Sequence, residues 1–505
     1  MRFPIRRAAF TALALLAVTG VASGQIAPTE YAQRRTALAA KLQDGVLLAI
    51  GSREPAQDYL SFFQNEPFTY LTGYNEPNAL LVMVKRGGQT SAMLFVEPRD
   101  PAAEVWTGKR FGPEGASKAT GIEARPVEQL RPVLDSLLAS ASQLYVVGDV
   151  RAGGPGPSSS ARPLSVDDQF VRGLLASRPN VKLASANQHV AVLRGTKSPA
   201  ELDLIRKAVT ITVDAQREAM RAIEPDMNEF EIQSLIEYTF RRNGADRPSF
   251  STIVGSGPNS TTLHYNADDR FMNAGEVVVM DIGASYRGYA ADVTRTVPIS
   301  GTFSADQKAI YQIVRDAQAA AERQAKLGAK ATLMSDSASA TIAAGLTRVG
   351  LIESPTATYD CGNPQQPQQC SQIELYYMHG LGHGIGLEVH DPDQFYFTGT
   401  IAAGSAFTIE PGIYVRENLL EILAKTSRNE AIIGKIRPAV EKFRNIGIRI
   451  EDDYVVTPQG VEWISRAPRE IAEVEAMMKE TLAGVAKRDS TKVDWYRRTA
   501  GPQVP

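Results

Sequence analysis

Three of the five histidines in the chain, His379, His383 and His390, lie in one glycine-rich run, HGLGHGIGLEVHD. Glycine at this density disfavours a helix interior and lets the backbone approach a bound centre closely. A single buried histidine is usually structural. Three together beside an aspartate favour a site that binds a metal or takes part in catalysis.

Two aspartates, Asp281 and Asp292, lie within apolar, strand-like runs, where an uncompensated carboxylate is costly. A hairpin that turns at 287–288 would place Asp281 opposite Thr294. Asp292 lies two residues from Thr294, so both carboxylates would share one face. Neighbouring carboxylates raise each other's pKa unless a cation lies between them. A shared metal therefore explains the pair better than the alternative, an edge charge beside a buried hydrogen-bonded aspartate.

Two glutamates, Glu410 in FTIEPGIYV and Glu451 in IRIEDDYVV, also interrupt strand-like apolar runs. Each alone would more often be a paired structural carboxylate. Together the four carboxylates and at least one imidazole form an oxygen-rich set, which favours Mn²⁺ or Co²⁺ and also accepts Zn²⁺. Two such ions can activate a water and clamp a carbonyl, so the residue types indicate metal-assisted hydrolysis.

The elements that must position these residues mix strands and helices. Apolar runs predict buried strands at 45–50, 79–85, 91–96 and 143–150. A Gly/Pro/Ser-rich surface loop follows at 152–163. Helices are expected at 198–223, 228–243, 304–328 and 332–348, the first two from capping-box patterns. The last strands are predicted at 406–415 and 446–456, separated by a charged, helical insertion at 417–442. Hairpins between helices fit an α+β fold better than a parallel α/β sheet.

The 505 residues suit two or three domains at about 150 residues each. A formal net charge of -2 shows no basic excess, which argues against a nucleic-acid partner. Arg2, Arg6 and Arg7 precede a short apolar run at 8–18 and small residues at 22–24, which predicts a signal peptide over 1–24. We expect export, to a periplasm, without membrane attachment after signal removal. A buried N-terminal helix is the alternative.

The two cysteines, Cys361 and Cys370, bracket a Pro/Gln-rich stretch. In an oxidising compartment a small disulfide loop is expected, with two free thiols as the alternative.

Five motifs, MDIGA, AADVTRT, HGLGHGIGLEVHD, TIEPGIY and IGIRIED, resemble in order and spacing those of the aminopeptidase P and prolidase group of pita-bread-fold metallopeptidases. NEPFTYLTGYNEPNALLVM and RGTKSPAELDLIRKA resemble the aminopeptidase P N-terminal domain and its junction with the catalytic domain. The resemblance implies a smaller mixed α/β domain over 25–193, a pita-bread catalytic domain over 194–485 and a tail over 486–505.

The resemblance also implies two divalent metal ions, with Mn²⁺ expected first. Asp281 would chelate one metal, and Asp292 and Glu451 would bridge both. His383 and Glu410 would bind the second metal.

Further roles follow from the same resemblance. Glu410 would move the proton of the attacking water. His379 and His390 would contact the substrate carbonyl and stabilise the tetrahedral intermediate. His264 would line the substrate pocket, and Arg449 would lie near the leaving group.

The activity implied is removal of an N-terminal residue that precedes proline, by a homodimer or homotetramer. Prolidase, which cleaves only Xaa-Pro dipeptides, shares all five ligands and is the alternative enzyme. A non-catalytic peptide-binding protein of this fold is the alternative from another class, and it would be expected to lose ligands. Segments 353–376 and 416–442 look longer than in compact relatives, which implies a narrower cleft, an oligomer contact, or no effect.

Overall fold

The computed structural model describes residues 26–57, 59–151, 164–482, 491 and 498. The predicted signal peptide, the Gly/Pro/Ser-rich loop at 152–163 and most of the predicted tail lie outside these residues. Within the described ranges, no helix combines the length and the apolar character needed to cross a membrane.

The N-terminal part is a six-stranded mixed sheet with helices around it. Its strands are β1 (Gly45–Ile50), β2 (Leu80–Arg86), β3 (Gln89–Val96), β4 (Glu123–Pro126), β5 (Gln143–Val147) and β6 (Lys182–Ser185). Its helices are α1 (Pro28–Ala40), α2 (Glu66–Thr72), α3 (Glu104–Thr107), α4 (Gly112–Thr120), α5 (Leu130–Leu138), α6 (Val166–Leu175) and α7 (Asn187–Arg194). The strand order is β4-β3-β2-β1-β5-β6. All four predicted strands are present, because their apolar runs are buried in this sheet.

The C-terminal part carries longer helices and several short antiparallel ladders. The helices are α8 (Pro199–Ala222), α9 (Glu229–Arg242), α10 (Ala305–Gln324), α11 (Thr332–Arg348), α12 (Phe395–Thr398), α13 (Ser427–Phe443) and α14 (Ile471–Met477). The strands are β7 (Arg247–Pro248), β8 (Ile253–Ser256), β9 (Val277–Ile282), β10 (Ala284–Tyr286), β11 (Tyr289–Ala290), β12 (Val293–Pro298), β13 (Thr358–Cys361), β14 (Gln368–Ser371), β15 (Ala406–Ile409), β16 (Gly412–Val415), β17 (Ile446–Arg449), β18 (Asp452–Thr457) and β19 (Gly460–Trp463).

The C-terminal part consists of two halves. In the first, α8 and α9 lie against the sheet of β8, β9 and β12. In the second, α10 lies against β15, β16 and β17, and α11 packs on α10. Both predicted capping boxes are present: Ser198 pairs with Glu201 at the start of α8, and Asn228 with Glu231 at the start of α9. Such local hydrogen bonds satisfy amides that the first helical turn leaves free.

The prediction of two continuous strands at 406–415 and 446–456 is wrong. Each is broken, and the breaks face each other: β15 pairs with β18, and β16 pairs with β17. Pro411 lies in one break and has no N–H to donate to the ladder. The amide of Glu410 instead donates to Leu381 O (2.7 Å), and that of Glu451 to Thr294 O (3.1 Å). The interruption therefore joins the ladder to the histidine run and to the aspartate hairpin.

The two long segments noted in the sequence pack on each other. A disulfide joins Cys361 to Cys370 across the β13–β14 hairpin, as the first of the two alternatives expected. Asn429 on α13 bonds to both backbone groups of Asp360 in that hairpin, accepting from its N–H (2.9 Å) and donating to its carbonyl (2.8 Å). The helical insertion is shorter than predicted, because α13 starts only at Ser427.

Candidate metal centre

One cavity of about 500 Å³ in the C-terminal part is lined by all nine residues that the sequence singled out for chemistry. They are His264, Asp281, Asp292, His379, His383, His390, Glu410, Arg449 and Glu451. None of the residues lining this cavity belongs to segments 353–376 or 416–442. Among the described residues, those two segments therefore form no part of the cavity wall and do not narrow the cleft.

The aspartate hairpin has the predicted register, with Asp281 of β9 opposite Thr294 of β12. Asp292 precedes β12, and its amide donates to Asp453 Oδ2 at 3.1 Å. Thr294 also donates its hydroxyl to Glu451 Oε2 at 2.7 Å, which connects this hairpin to the broken ladder. The sequence did not single out Asp453, which ends the run EDD at 451–453. Nothing in that run shows which carboxylate binds a metal and which one holds a neighbouring ligand in place.

His383 turns one ring nitrogen towards the carboxylates. Its Nε2 lies 3.4 Å from Asp292 Oδ2, 3.6 Å from Glu410 Oε1 and 4.0 Å from Glu451 Oε1. Its Nδ1 lies 3.1 Å from Gly384 O, so Nδ1 carries the hydrogen in the neutral ring. Burial, and then the neighbouring His390, lower the pKa of His383 to about 4. The neutral ring therefore offers the Nε2 lone pair, as a metal ligand must.

Three of the candidate carboxylates each have one buried oxygen without a hydrogen-bond donor among the described residues. These oxygens are Asp281 Oδ1, Asp292 Oδ1 and Glu451 Oε1. Burial, and then repulsion from Glu451, raise the pKa values of Asp292 and Glu410 well above their ordinary values. Burial, and then Asp281, raise the pKa of Glu451 to about 7.

Ligand atoms of Asp292, His383 and Glu451 lie within 4.8 Å of one another. Repelling carboxylates with unpaired oxygens are stabilised when a divalent cation lies among them. The residues present thus fit a centre for divalent metal ions.

A hydrogen-bond chain leads from Asp281 to His379. Arg449 Nη2 donates to Asp281 Oδ2 (2.5 Å), and Arg449 Nη1 donates to the Tyr414 hydroxyl (2.9 Å). The Tyr414 oxygen lies 2.9 Å from His379 Nε2, and His379 Nδ1 lies 2.8 Å from Gly380 O.

The tautomer of His379 follows from these partners. A carbonyl accepts only, so Nδ1 carries the hydrogen, and Tyr414 donates its own to Nε2. Burial, and then Arg449, lower the pKa of His379 to about 4, which keeps this ring neutral. Sequence reasoning assigned no role to Tyr414, although it ends the motif TIEPGIY.

Arg449 is 4% exposed, and its guanidinium group bonds to other residues of this chain. Besides Asp281 and Tyr414 it contacts Thr294 Oγ1 at 3.2 Å and Leu263 O at 3.3 Å. The structure thus places Arg449 against a candidate ligand, on the wall of the cavity.

The remaining histidines, His390 and His264, also line the cavity. The ring centroid of His390 is 4.1 Å from that of His383. His264 lies in a loop held by Glu229, a fully buried carboxylate. Glu229 accepts hydrogen bonds from the amide of Ser256 (2.7 Å), before His264 in the chain, and from Tyr265 Oη (2.9 Å) and the amide of Arg270 (2.9 Å), after it.

Two known families match most of the chain. Residues 203–458 match metallopeptidase family M24, and residues 31–146 match the aminopeptidase P N-terminal domain. The M24 match contains all nine cavity residues named above, and every other residue that lines the cavity also lies within it.

Curated proteins and solved structures agree with this match. The chain is 33% identical to a Xaa-Pro aminopeptidase of Haemophilus influenzae, over 89% of this chain and 97% of that protein. It is 30% identical to the Escherichia coli Xaa-Pro aminopeptidase, over 90% and 98%. Aminopeptidase P from E. coli in a low-pH form superposes with a TM-score of 0.73 at 30% identity, covering 90% of this chain and 98% of that one. A Bacillus anthracis structure described as a putative aminopeptidase P has a TM-score of 0.75 at 28% identity, covering 91% and 100%.

Proposed function

The chain belongs to metallopeptidase family M24, and from this premise we propose that it is an Xaa-Pro aminopeptidase, which removes the N-terminal residue from peptides whose second residue is proline. As a family member it is a hydrolase that uses divalent metal ions. The resemblance and the fold class expected from the sequence are confirmed. The observation that carries the proposal is the single cavity in which all five candidate ligands meet, with three unpaired carboxylate oxygens.

We propose two divalent ions, with Mn²⁺ first and Co²⁺ or Zn²⁺ as alternatives. The ions would be held by Asp281, Asp292, His383, Glu410 and Glu451. The buried carboxylate oxygens without a donor and the Nε2 lone pair of His383 support this assignment. When bound, the ions supply an activated water and polarise the scissile carbonyl.

The residues around the ligands would handle the proton and the substrate carbonyl. Glu410 accepts the proton of the attacking water and delivers it to the leaving nitrogen. His379, whose Nδ1 lies 3.8 Å from Glu410 Oε2, would exchange its Nδ1–H bond to Gly380 O for one to the oxygen on which negative charge develops. His390, whose ring lies beside that of His383, contacts the same carbonyl.

The cavity also offers a surface for proline. Phe250, Leu263 and Val389 line it together with the charged groups. An apolar wall suits a pyrrolidine ring, and a peptide whose amino terminus meets the acidic cluster is cleaved only at its first bond. We propose that His264 contacts the substrate in this region.

We propose that residues 1–24 direct export to a periplasm and that the mature protein is a homodimer or homotetramer. The net charge of -2 supports a partner that is a peptide rather than a nucleic acid.

The first test uses purified mature protein loaded with Mn²⁺. It is incubated with a tripeptide Xaa-Pro-Yaa, with the dipeptide Xaa-Pro, and with a tripeptide that has alanine second, each with and without a chelator. We expect the protein to release Xaa from the proline tripeptide, with or without release from the dipeptide, and to leave the alanine tripeptide intact. The chelator should abolish this release. Cleavage of the dipeptide alone would identify a prolidase, and no cleavage by metal-loaded protein would favour a peptide-binding protein.

A further inference from the structure

We propose that Arg194 and Lys197, which connect the two parts of the chain, are positioning residues for His383 and His390 and act through Asp391. This inference rests on the proposed function, which assigns the two histidines to metal and substrate. Arg194 ends α7, the last helix of the N-terminal part, and Lys197 lies in the segment before α8.

The contacts form a buried clamp around one carboxylate. Arg194 Nη2 contacts Asp391 Oδ1, and Lys197 Nζ lies 3.1 Å from Asp391 Oδ2, so each oxygen has its own cation. Asp391, Arg194 and Lys197 are 3%, 5% and 3% exposed. Lys197 Nζ also donates to Pro392 O at 2.5 Å, and Arg194 Nη2 reaches Glu388 Oε2 at 2.7 Å.

The clamped carboxylate closes the loop that joins the two histidines. The amide of Asp391 donates to Gly384 O (2.8 Å), and the amide of Glu388 donates to Asp391 Oδ1 (3.1 Å). His383 directly precedes this loop and His390 directly precedes Asp391, with ring centroids 4.1 Å apart. A displacement of Asp391 therefore moves both rings.

Two glycines of the histidine run fit this clamp closely. A Cβ on Gly386 would lie 2.5 Å from Asp391 Oδ2 and 3.0 Å from Lys197 Cε. A Cβ on Gly384 would lie 2.4 Å from Asp391 O. Neither position has room for a Cβ, so the backbone at Gly386 lies directly against the ion pair and that at Gly384 lies directly against the Asp391 carbonyl. The clamp thus explains glycines that metal ligation alone does not require.

Stability alone is a poor explanation for the clamp. A buried ion pair often contributes no more to stability than apolar residues of similar size, because desolvation offsets the attraction. What two cations on one carboxylate do add is a defined position for it. A partner that orients a metal ligand indirectly typically affects metal affinity or activity 10- to 100-fold.

The test compares Lys197→Met and Arg194→Met with the conservative variants Lys197→Arg and Arg194→Lys. Three quantities are measured: Mn²⁺ affinity by calorimetry, kcat and KM on an Xaa-Pro-Yaa tripeptide, and hydrogen exchange of the amides at 384–391 in metal-free protein. For the methionine variants we expect Mn²⁺ affinity and kcat to fall about 10- to 100-fold. KM should change less, and loop exchange should be faster. The conservative variants should recover most of each loss.

Arg34→Met is the matched control. Arg34 is 6% exposed and also pairs across the two parts, 3.2 Å from Glu201, without touching the loop. The Arg34→Met variant should have a lower melting temperature, while its Mn²⁺ affinity and the hydrogen exchange of the loop at 384–391 should be unchanged. The inference is overturned if folded Lys197→Met keeps wild-type affinity and exchange, or if Arg34→Met reproduces its defects.

If neither methionine variant folds, Glu388→Gln replaces them, because Glu388 is 44% exposed and bonds only to Arg194 of the clamp cations. A smaller change in the same direction supports the inference, and unchanged loop exchange overturns it. Wild-type protein that bound no Mn²⁺ would contradict the proposed function, which separates the two failures.

Discussion

Gln216 and Gln318 occupy matching positions in the two halves of the C-terminal part. Each is fully buried on the first helix of its half, α8 or α10, and donates its side-chain amide to two backbone carbonyls. Gln216 Nε2 reaches Met280 O at 3.0 Å and Val293 O at 2.8 Å. These carbonyls directly adjoin the two candidate aspartate ligands.

The second glutamine repeats the arrangement. Gln318 Nε2 lies 3.3 Å from both Ile409 O and Ile450 O, which directly precede the two candidate glutamate ligands. It also donates to Asp452 Oδ2 at 2.9 Å. Each half therefore uses one buried amide to hold the two backbone positions from which its pair of carboxylates extends.

Replacing either glutamine by leucine should loosen its pair of ligands. Gln216→Leu leaves two buried carbonyls without this donor, at a cost of about 1–3 kcal/mol in the free energy of unfolding. Mn²⁺ affinity should fall about 10- to 100-fold, as when other groups that orient ligands are lost. Urea unfolding and Mn²⁺ calorimetry measure the two effects. Gln312→Leu, at an exposed site on α10, is the control and should change neither.

Asp292→Asn should separate metal binding from folding. Asparagine keeps the shape but cannot ionise, so one acidic group is lost from a buried, mutually repelling cluster. We expect the melting temperature of the metal-free protein to rise by about 2–4 °C, as for a gain of about 1 kcal/mol. Mn²⁺ binding and turnover should both fall more than about 100-fold. A variant that kept wild-type Mn²⁺ affinity would remove Asp292 from the ligand set.

His379→Ala should leave the metal site intact and slow turnover. His379 contacts Tyr414 and Gly380, and it is not among the three residues whose ligand atoms cluster. Loss of a positioned proton donor typically costs about 10²- to 10⁴-fold in rate. Mn²⁺ titration should match the wild type while kcat falls within that range. Full activity in this variant would show that the role assigned to His379 is wrong.

Metal-free protein should lose stability as the pH rises from about 5 to about 7. Burial and Asp281 raise the pKa of Glu451 from 4.5 to about 7, so in this window the folded state binds more protons than the unfolded state. Stability therefore falls with rising pH, the opposite of the usual carboxylate effect. Bound Mn²⁺ should cancel this trend, because ligands bind metal in the deprotonated form.

Melting curves at several pH values, with and without Mn²⁺, measure this dependence. Glu451→Gln should flatten the metal-free profile, because glutamine does not titrate. A metal-free melting temperature that climbed steadily between pH 5 and 7 in the wild type would contradict the raised pKa of Glu451.

Much of the site was predictable from the sequence, because the signals were local or periodic. Side chains alternate along a strand, so the register of Asp281 against Thr294 followed from the position of the turn. The capping boxes of α8 and α9 depend on residues three apart, and both are present. Resemblance then supplied candidate ligands, all of which line one cavity.

Other features depended on residues far apart in the chain. The breaks in the strands at Glu410 and Glu451 could not be predicted from either strand alone. The amides of these residues bond to Leu381 O and Thr294 O instead of to the facing strand, and both acceptors lie far away in the sequence. The ion pair between Lys197 and Asp391 likewise joins residues that are far apart in the sequence, so no local pattern predicts it.

The sequence by itself determined which residue types could bind metal and which short segments would present them, because helix caps and strand periodicity act between near neighbours. Tertiary structure alone decided which oxygens lack donors, which tautomer His379 adopts and what holds each ligand in place. Those properties depend on burial and on hydrogen bonds between distant segments, and local sequence patterns carry no information about either.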